Sequence, residues 1–172
     1  MERVAPHPTE ARLPAPGTML PELALPDTSG RLRSLWEFKQ RHPLLLLVAP
    51  GLERDAATGD WLERLGTAWT ELVAHDARLV VVTRAMGPQA RRISDAFGAA
   101  SVILLDRDGE GTRAFLPGSG PGVALYLTDR YLLCIGRWLG VAGFPAPDAL
   151  LVSLAFAEQD DCACGLPAWP EE

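Results

Sequence analysis

Three cysteines and a handful of charged residues are the groups in this 172-residue chain that could do chemistry. Cys162 and Cys164 stand two apart in "DDCACGLPAWP". Thiols at that spacing can close a small, strained disulfide whose strain makes it easily reduced, so the pair is a candidate redox switch. Asp160 and Asp161 just upstream oppose that role, because neighbouring negative charge disfavours a thiolate. As zinc ligands the pair supplies half of a closed site, and His7, His42 and His75 are dispersed along the chain. No metal site is therefore expected within one chain, although cysteines from two subunits leave a shared one open. Cys134, in "YLLCIGRW", reads as a small buried hydrophobe.

A second candidate is the loop "APGLERDAATGD", which runs from an apolar segment into a helix. Pro50, Arg54 and Asp55 lie there at the carboxyl end of a presumed central strand, where open α/β sheets place ligands. Arg54 and free helix N–H groups could hold a small anion, against the charges of Glu53 and Asp55. Asp106-Arg107-Asp108-Gly109 resembles the start of a calcium loop but lacks its later ligands, so a turn is expected.

The elements that must position these groups follow from periodicity. Residues 1–16 hold four prolines and no repeat, which predicts an extended arm. "LPELALPDTSGRLRSLWEFK" predicts a small hairpin around Asp27–Gly30 and one helical turn, with Leu32, Leu35 and Trp36 as apolar anchors. "PLLLLVAP" is apolar on both faces, as a central strand covered on both sides must be. Trp61, Leu62, Leu65, Trp69, Leu72 and Val73 recur at helical spacing and predict a helix from Thr58 to His75, with Asp60 and Glu63 at capping-box spacing. "RLVVVT" is a second strand, and the β-α-β order implies a right-handed crossover. Pro88 opens a helix that Gly98 stops. "SVILLD" is a third strand, "GTRAFL" a short turn, and "VALYLTDRYLLCIGRW" an antiparallel pair. A last helix is expected over 147–158, followed by a tail over 159–172. Trp36, Trp61, Trp69 and Trp138 fall on apolar faces and read as core or interface. Trp169, among prolines in the tail, is expected to dock on its own domain or on a second subunit, which leaves a homodimer open.

Composition bounds the function. Hydrophobic residues make up 48% and charged residues 22%, the balance of a globular domain, and one domain over 17–158 is the expectation. A formal net charge of −6 argues against nucleic acid, whose binding draws on clustered positive charge. Arg91-Arg92 is the one local cluster. No apolar run approaches a membrane span, and the N-terminal residues lack a signal-like apolar stretch, so a cytoplasmic protein without membrane contact is expected. No cofactor motif is read.

The order of these elements resembles the thioredoxin fold as elaborated in the peroxiredoxin and redoxin (AhpC/TSA) families, over roughly residues 17–158. "LPELALPDTSGRLRSLWEFK" is similar to the family's opening P-x-F-x-L-x-D-x-x-G pattern, "LLLLVAP" to the strand before the active loop, "VILLDRDGEGTRAF" to a family segment of the type "LLSDPDGEVARAYG", and "LYLTDRYLLCIGRW" to a "TFLIDRDGKIVYR" hairpin. The tail is similar to redoxin-like endings of the type "CPECGVPEWP". The resemblance implies an α/β fold with a central mixed sheet flanked by helices, and a thiol peroxidase or oxidoreductase acting on peroxide or on a protein or small-molecule thiol or disulfide partner. The catalytic residues do not follow. In the Pro-x-x-x-Thr-x-x-Cys loop the Thr position is Arg54 and the Cys position is Ala57, and Val123 stands where an arginine is expected. A thioredoxin-type Cys-x-x-Cys would place Leu52 and Asp55 at its two cysteines. Two readings follow: a non-catalytic binding or regulatory module working through the 50–58 loop, or a divergent thiol oxidoreductase or redox sensor using Cys162 and Cys164.

Overall fold

The computed structural model describes residues 13–119 and 122–163, with side chains described through residue 158. Among the described residues there are seven strands and four α-helices. The hairpin strands β1 (Ala24–Pro26) and β2 (Leu32–Ser34) are joined by a turn in which the Asp27 carboxylate accepts from the Ser29 and Arg31 N–H groups. A 3-10 turn over Leu35–Phe38 follows, capped by Ser34 and Glu37 reciprocally.

The main sheet has the order β5-β4-β3-β6-β7. Its strands are β3 (Leu44–Val48), β4 (Arg78–Thr83), β5 (Ser101–Leu105), β6 (Ala124–Thr128) and β7 (Cys134–Leu139). β3, β4 and β5 are parallel, whereas β6 runs antiparallel to β3 and β7 antiparallel to β6. β3 is central, and its five residues are buried on both faces. Leu45 and Leu47 join Trp61, Leu65, Ile93, Phe97, Leu150 and Leu154 in one core. Leu44, Leu46 and Val48 face the other core, with Leu23, Leu35, Phe115 and Tyr126. That division is the period-two alternation of a strand between two layers, and it accounts for a segment that is apolar at every position.

Helices α1 (Ala56–Ala74), α2 (Pro88–Phe97) and α4 (Pro147–Ala163) cover the first face, while the hairpin and α3 (Glu110–Phe115) cover the second. Trp61 and Trp69 are core residues that meet Phe144 and Phe97 edge-on at 5.1 and 4.9 Å. Trp138 packs partly buried against the same core.

Four expectations shift. Helix α1 starts two residues earlier than its periodicity predicts, because its cap is Asp55 and not the Asp60–Glu63 pair. "GTRAFL" is helical and not a turn: the buried Asp106 carboxylate accepts from Gly111 N, Thr112 N and Thr112 Oγ1, at 3.0, 2.8 and 2.7 Å, and so organises α3. Gly109, at φ 73°, turns the chain into that helix. Leu32 and Trp36 are exposed, Trp36 with the Lys39 ammonium 4.7 Å from its ring, so Leu35 is the buried anchor of that segment. Helix α4 continues through Ala163, which makes residues 159–163, read as tail, helical. No described helix is long and apolar enough to cross a membrane.

Candidate functional site

Two parallel β-α units bring two helix N-termini to one end of the sheet. β3 leads through Pro50 and a 3-10 turn over Leu52–Arg54 into α1, and β4 leads through Arg84–Gly87 into α2. The chain continues from β3 to β4 and β5 on one side, whereas β6 pairs with β3 on the other. The carboxyl ends of strands at such a switch point leave a crevice. Here it is a cleft of about 510 Å³ lined by Pro50, Gly51, Glu53, Arg54, Thr83, Arg84, Ala85 and Gly122.

The first turns of α1 and α2 each expose backbone N–H groups that need an acceptor. Both helices receive a carboxylate from the same short loop. Asp55 Oδ1 accepts from Thr58 N at 3.1 Å, and Asp55 Oδ2 accepts from the buried Thr58 hydroxyl at 2.6 Å. Glu53 reaches across to α2, where its two oxygens accept from Gln89 N and Ala90 N at 3.0 Å each. Gly87, the N-cap of α2, has no side chain to offer, and a Cβ there would overlap the Glu53 carboxylate. Negative charge thus sits at both positive helix ends, which is where an anion or a thiolate would be stabilised.

Of the residues singled out from sequence, Pro50 and Arg54 line the cleft, while Asp55 is occupied in capping α1. Ala57 is exposed in the first turn of α1, with no nucleophilic atom. Val123 is buried in the core, and its carbonyl accepts from Gly140 N. Sequence reasoning missed Thr83, Arg84 and the capping role of Glu53. The parallel-strand rule that pointed to the residues after β3 applies equally to those after β4 and would have found the first two.

Cys134 is buried at the start of β7, and its thiol donates to the Gly136 carbonyl at 3.4 Å. Burial pushes this thiol's pKa up, opposed by that hydrogen bond and by Arg137, as the small-hydrophobe reading requires. The side chain of Cys162, the whole of Cys164, and His7 and Trp169 lie outside the described residues. Among the described residues no three His, Cys, Asp or Glu side chains are grouped to hold a metal. A second cleft, of about 300 Å³, opens beside the C-terminus of α1, where His75 Nδ1 lies 3.0 and 3.1 Å from the two Glu158 carboxylate oxygens.

No family model and no curated protein matches the sequence. Solved structures do match. The thiol peroxidase from Chromobacterium violaceum superposes with a TM-score of 0.66 at 21% identity, over 89% of this chain and 93% of that one. Peroxidoxin BcpB from Mycobacterium tuberculosis gives 0.64 at 16% identity, over 83% and 97%. AhpC from the same organism gives 0.64 at 16%, over 90% and 98%. The chain therefore has the thioredoxin-like fold in the form seen in peroxiredoxin structures, with a mixed five-stranded sheet flanked by helices.

Proposed function

We propose that the protein is a non-catalytic redoxin-fold module that binds a partner or small ligand through the cleft beside the 50–58 loop. The observation that carries this reading is the pair of carboxylates, Asp55 and Glu53, on the N-termini of α1 and α2. Thiol catalysis in this fold needs a thiolate, and a thiolate near the start of α1 would be held down in pKa by the helix N–H groups. Here Ala57 replaces the thiol, Arg54 replaces the expected hydroxyl, and Asp55 takes up N–H bonding capacity at the start of α1. A nucleophile restored at residue 57 would also meet nearby negative charge, which raises a thiol pKa. What is left is a concave, partly polar surface on a rigid sheet end, a suitable frame for recognition.

The test is thiol-dependent peroxide consumption by the full chain, with hydrogen peroxide and dithiothreitol. Consumption at the rate of buffer alone is the expected result. Turnover that disappears in Cys162→Ser or Cys164→Ser would refute the module reading and install the alternative, a divergent thiol oxidoreductase or redox sensor whose chemistry resides in that pair.

A further inference from the structure

We propose that the cleft between β3 and β4 is a site for a phosphoryl group, free or as a monoester, held by Arg54 and Arg84 with the Thr83 hydroxyl as third donor. This rests on the binding-module reading and supplies its ligand class. Arg54 and Arg84 reach the cleft from different elements, one from the 3-10 turn before α1 and the other from the loop after β4. Neither guanidinium makes a hydrogen bond or ion pair with a described residue. Glu53 shares the cleft wall, but its two oxygens accept from Gln89 N and Ala90 N rather than pairing with either arginine, and Asp55 is committed to Thr58. In a chain of net charge −6, two uncommitted cations converge on one concavity.

Thr83 points to a ligand independently. It is only 1% exposed and lines the cleft, yet its hydroxyl has no hydrogen-bond partner among the described residues. It is also not a sealed orphan, since the one fully enclosed unpaired side-chain atom among the described residues is His42 Nδ1. The hydroxyl therefore opens to the cleft, where a buried polar group is normally satisfied by water or ligand. Planar guanidinium forks suit oxyanions, and donors arriving from three stations around a cleft suit the three terminal oxygens of a tetrahedral phosphoryl group better than the two coplanar oxygens of a carboxylate. Of the remaining walls, Pro50, Gly51, Ala85 and Gly122 are small and Glu53 is the one acidic residue, its carboxylate turned to the α2 amides, and about 510 Å³ leaves room for an organic group on the ester oxygen.

The experiment is a heteronuclear NMR titration of the full chain at constant ionic strength with inorganic phosphate, phenyl phosphate and acetate. Saturable shifts of the Thr83 and Arg84 amides by phosphate or phenyl phosphate, with little response to acetate, are expected. Tighter phenyl phosphate would assign an ester ligand, and tighter inorganic phosphate a free one. Arg84→Gln should raise the dissociation constant about tenfold or more, Arg84→Lys by less, and Thr83→Val by about fivefold. Equal binding of acetate overturns the phosphoryl assignment. Absence of a saturable shift with either phosphate, or shifts unaltered by Arg84→Gln, overturns the site. Those results are distinct from peroxide turnover, which would overturn the module reading itself.

Discussion

The Glu53 cap of α2 can be tested by a change of sign. Glu53→Ala removes the acceptor of two N–H groups, each at 3.0 Å. Glu53 is exposed, so water reaches the freed donors, and the cost is that of a lost helix cap, about 1 kcal/mol. Gly87→Ala attacks the same contact from the other side, because its Cβ would displace the Glu53 carboxylate. It also has an opposite effect. Gly87 has φ −133° and ψ −169°, extended backbone that alanine adopts freely, so the substitution narrows the unfolded ensemble and stabilises by about 0.4–1 kcal/mol. In the parent chain the two effects nearly cancel, leaving a loss of roughly 0–0.6 kcal/mol. In the Glu53→Ala background no cap remains to be lost, and Gly87→Ala becomes stabilising by the full ~0.4–1 kcal/mol. The four proteins, unfolded in urea and followed by tryptophan fluorescence, should therefore show a coupling of about 1 kcal/mol, or ~0.5 M in midpoint at a slope of ~2 kcal/mol/M. Additivity within ~0.3 kcal/mol would refute the reasoning, since it would mean that Glu53 and Gly87 do not act on a common contact.

Asp106→Ala should cost about 3 kcal/mol, since it strips a fully buried acceptor from two N–H groups and a hydroxyl, and Asp106→Asn should cost about half; equal urea midpoints for parent and Ala variant would contradict this. Burial raises the pKa of Tyr126, whose hydroxyl donates to the Phe115 carbonyl at 2.7 Å, to about 12. Because the folded value lies above the unfolded one, this residue's contribution, of order 2–3 kcal/mol, is complete below pH ~10 and is lost between pH ~10 and ~12. Absorbance at 295 nm should accordingly show one of the two tyrosines ionising late and together with unfolding, whereas a folded protein with both ionised at pH ~10.5 would contradict the burial.

The layered fold was legible because its signals are local. Leu44–Val48 could only be a strand covered on both sides, and Pro88 and Gly98 bracketed α2 within a residue. What escaped depends on contacts across the sequence. Six residues are too few for a helical period to show, and α3 exists because Asp106 supplies its acceptor from the preceding strand end. The start of α1 was misplaced because Asp60 and Glu63 imitate a cap that Asp55 provides. At the candidate site, Pro50 and Arg54 were legible as the exit of an apolar strand, but Thr83 and Arg84 acquire meaning only once β4 lies beside β3. Glu53 read simply as a charge opposing anion binding; its partner amides are 36 and 37 residues away.

The central position of β3 also sets the order in which the chain can be protected as it is made. One edge of Leu44–Val48 is covered when β4 arrives, but the other waits for β6, whose Ala124 pairs with Val48. At a synthesis rate of ~5–20 residues per second, roughly 75 intervening residues leave that edge bare for about 4–15 s. Five consecutive aliphatic residues with no charge form an aggregation-prone segment during that interval. Pro43 and Pro50 bracket them, and since proline cannot extend a ladder, the pair limits how far an illegitimate strand could grow on that edge. Yield on expression, more than the stability of the finished fold, is the quantity those two prolines govern.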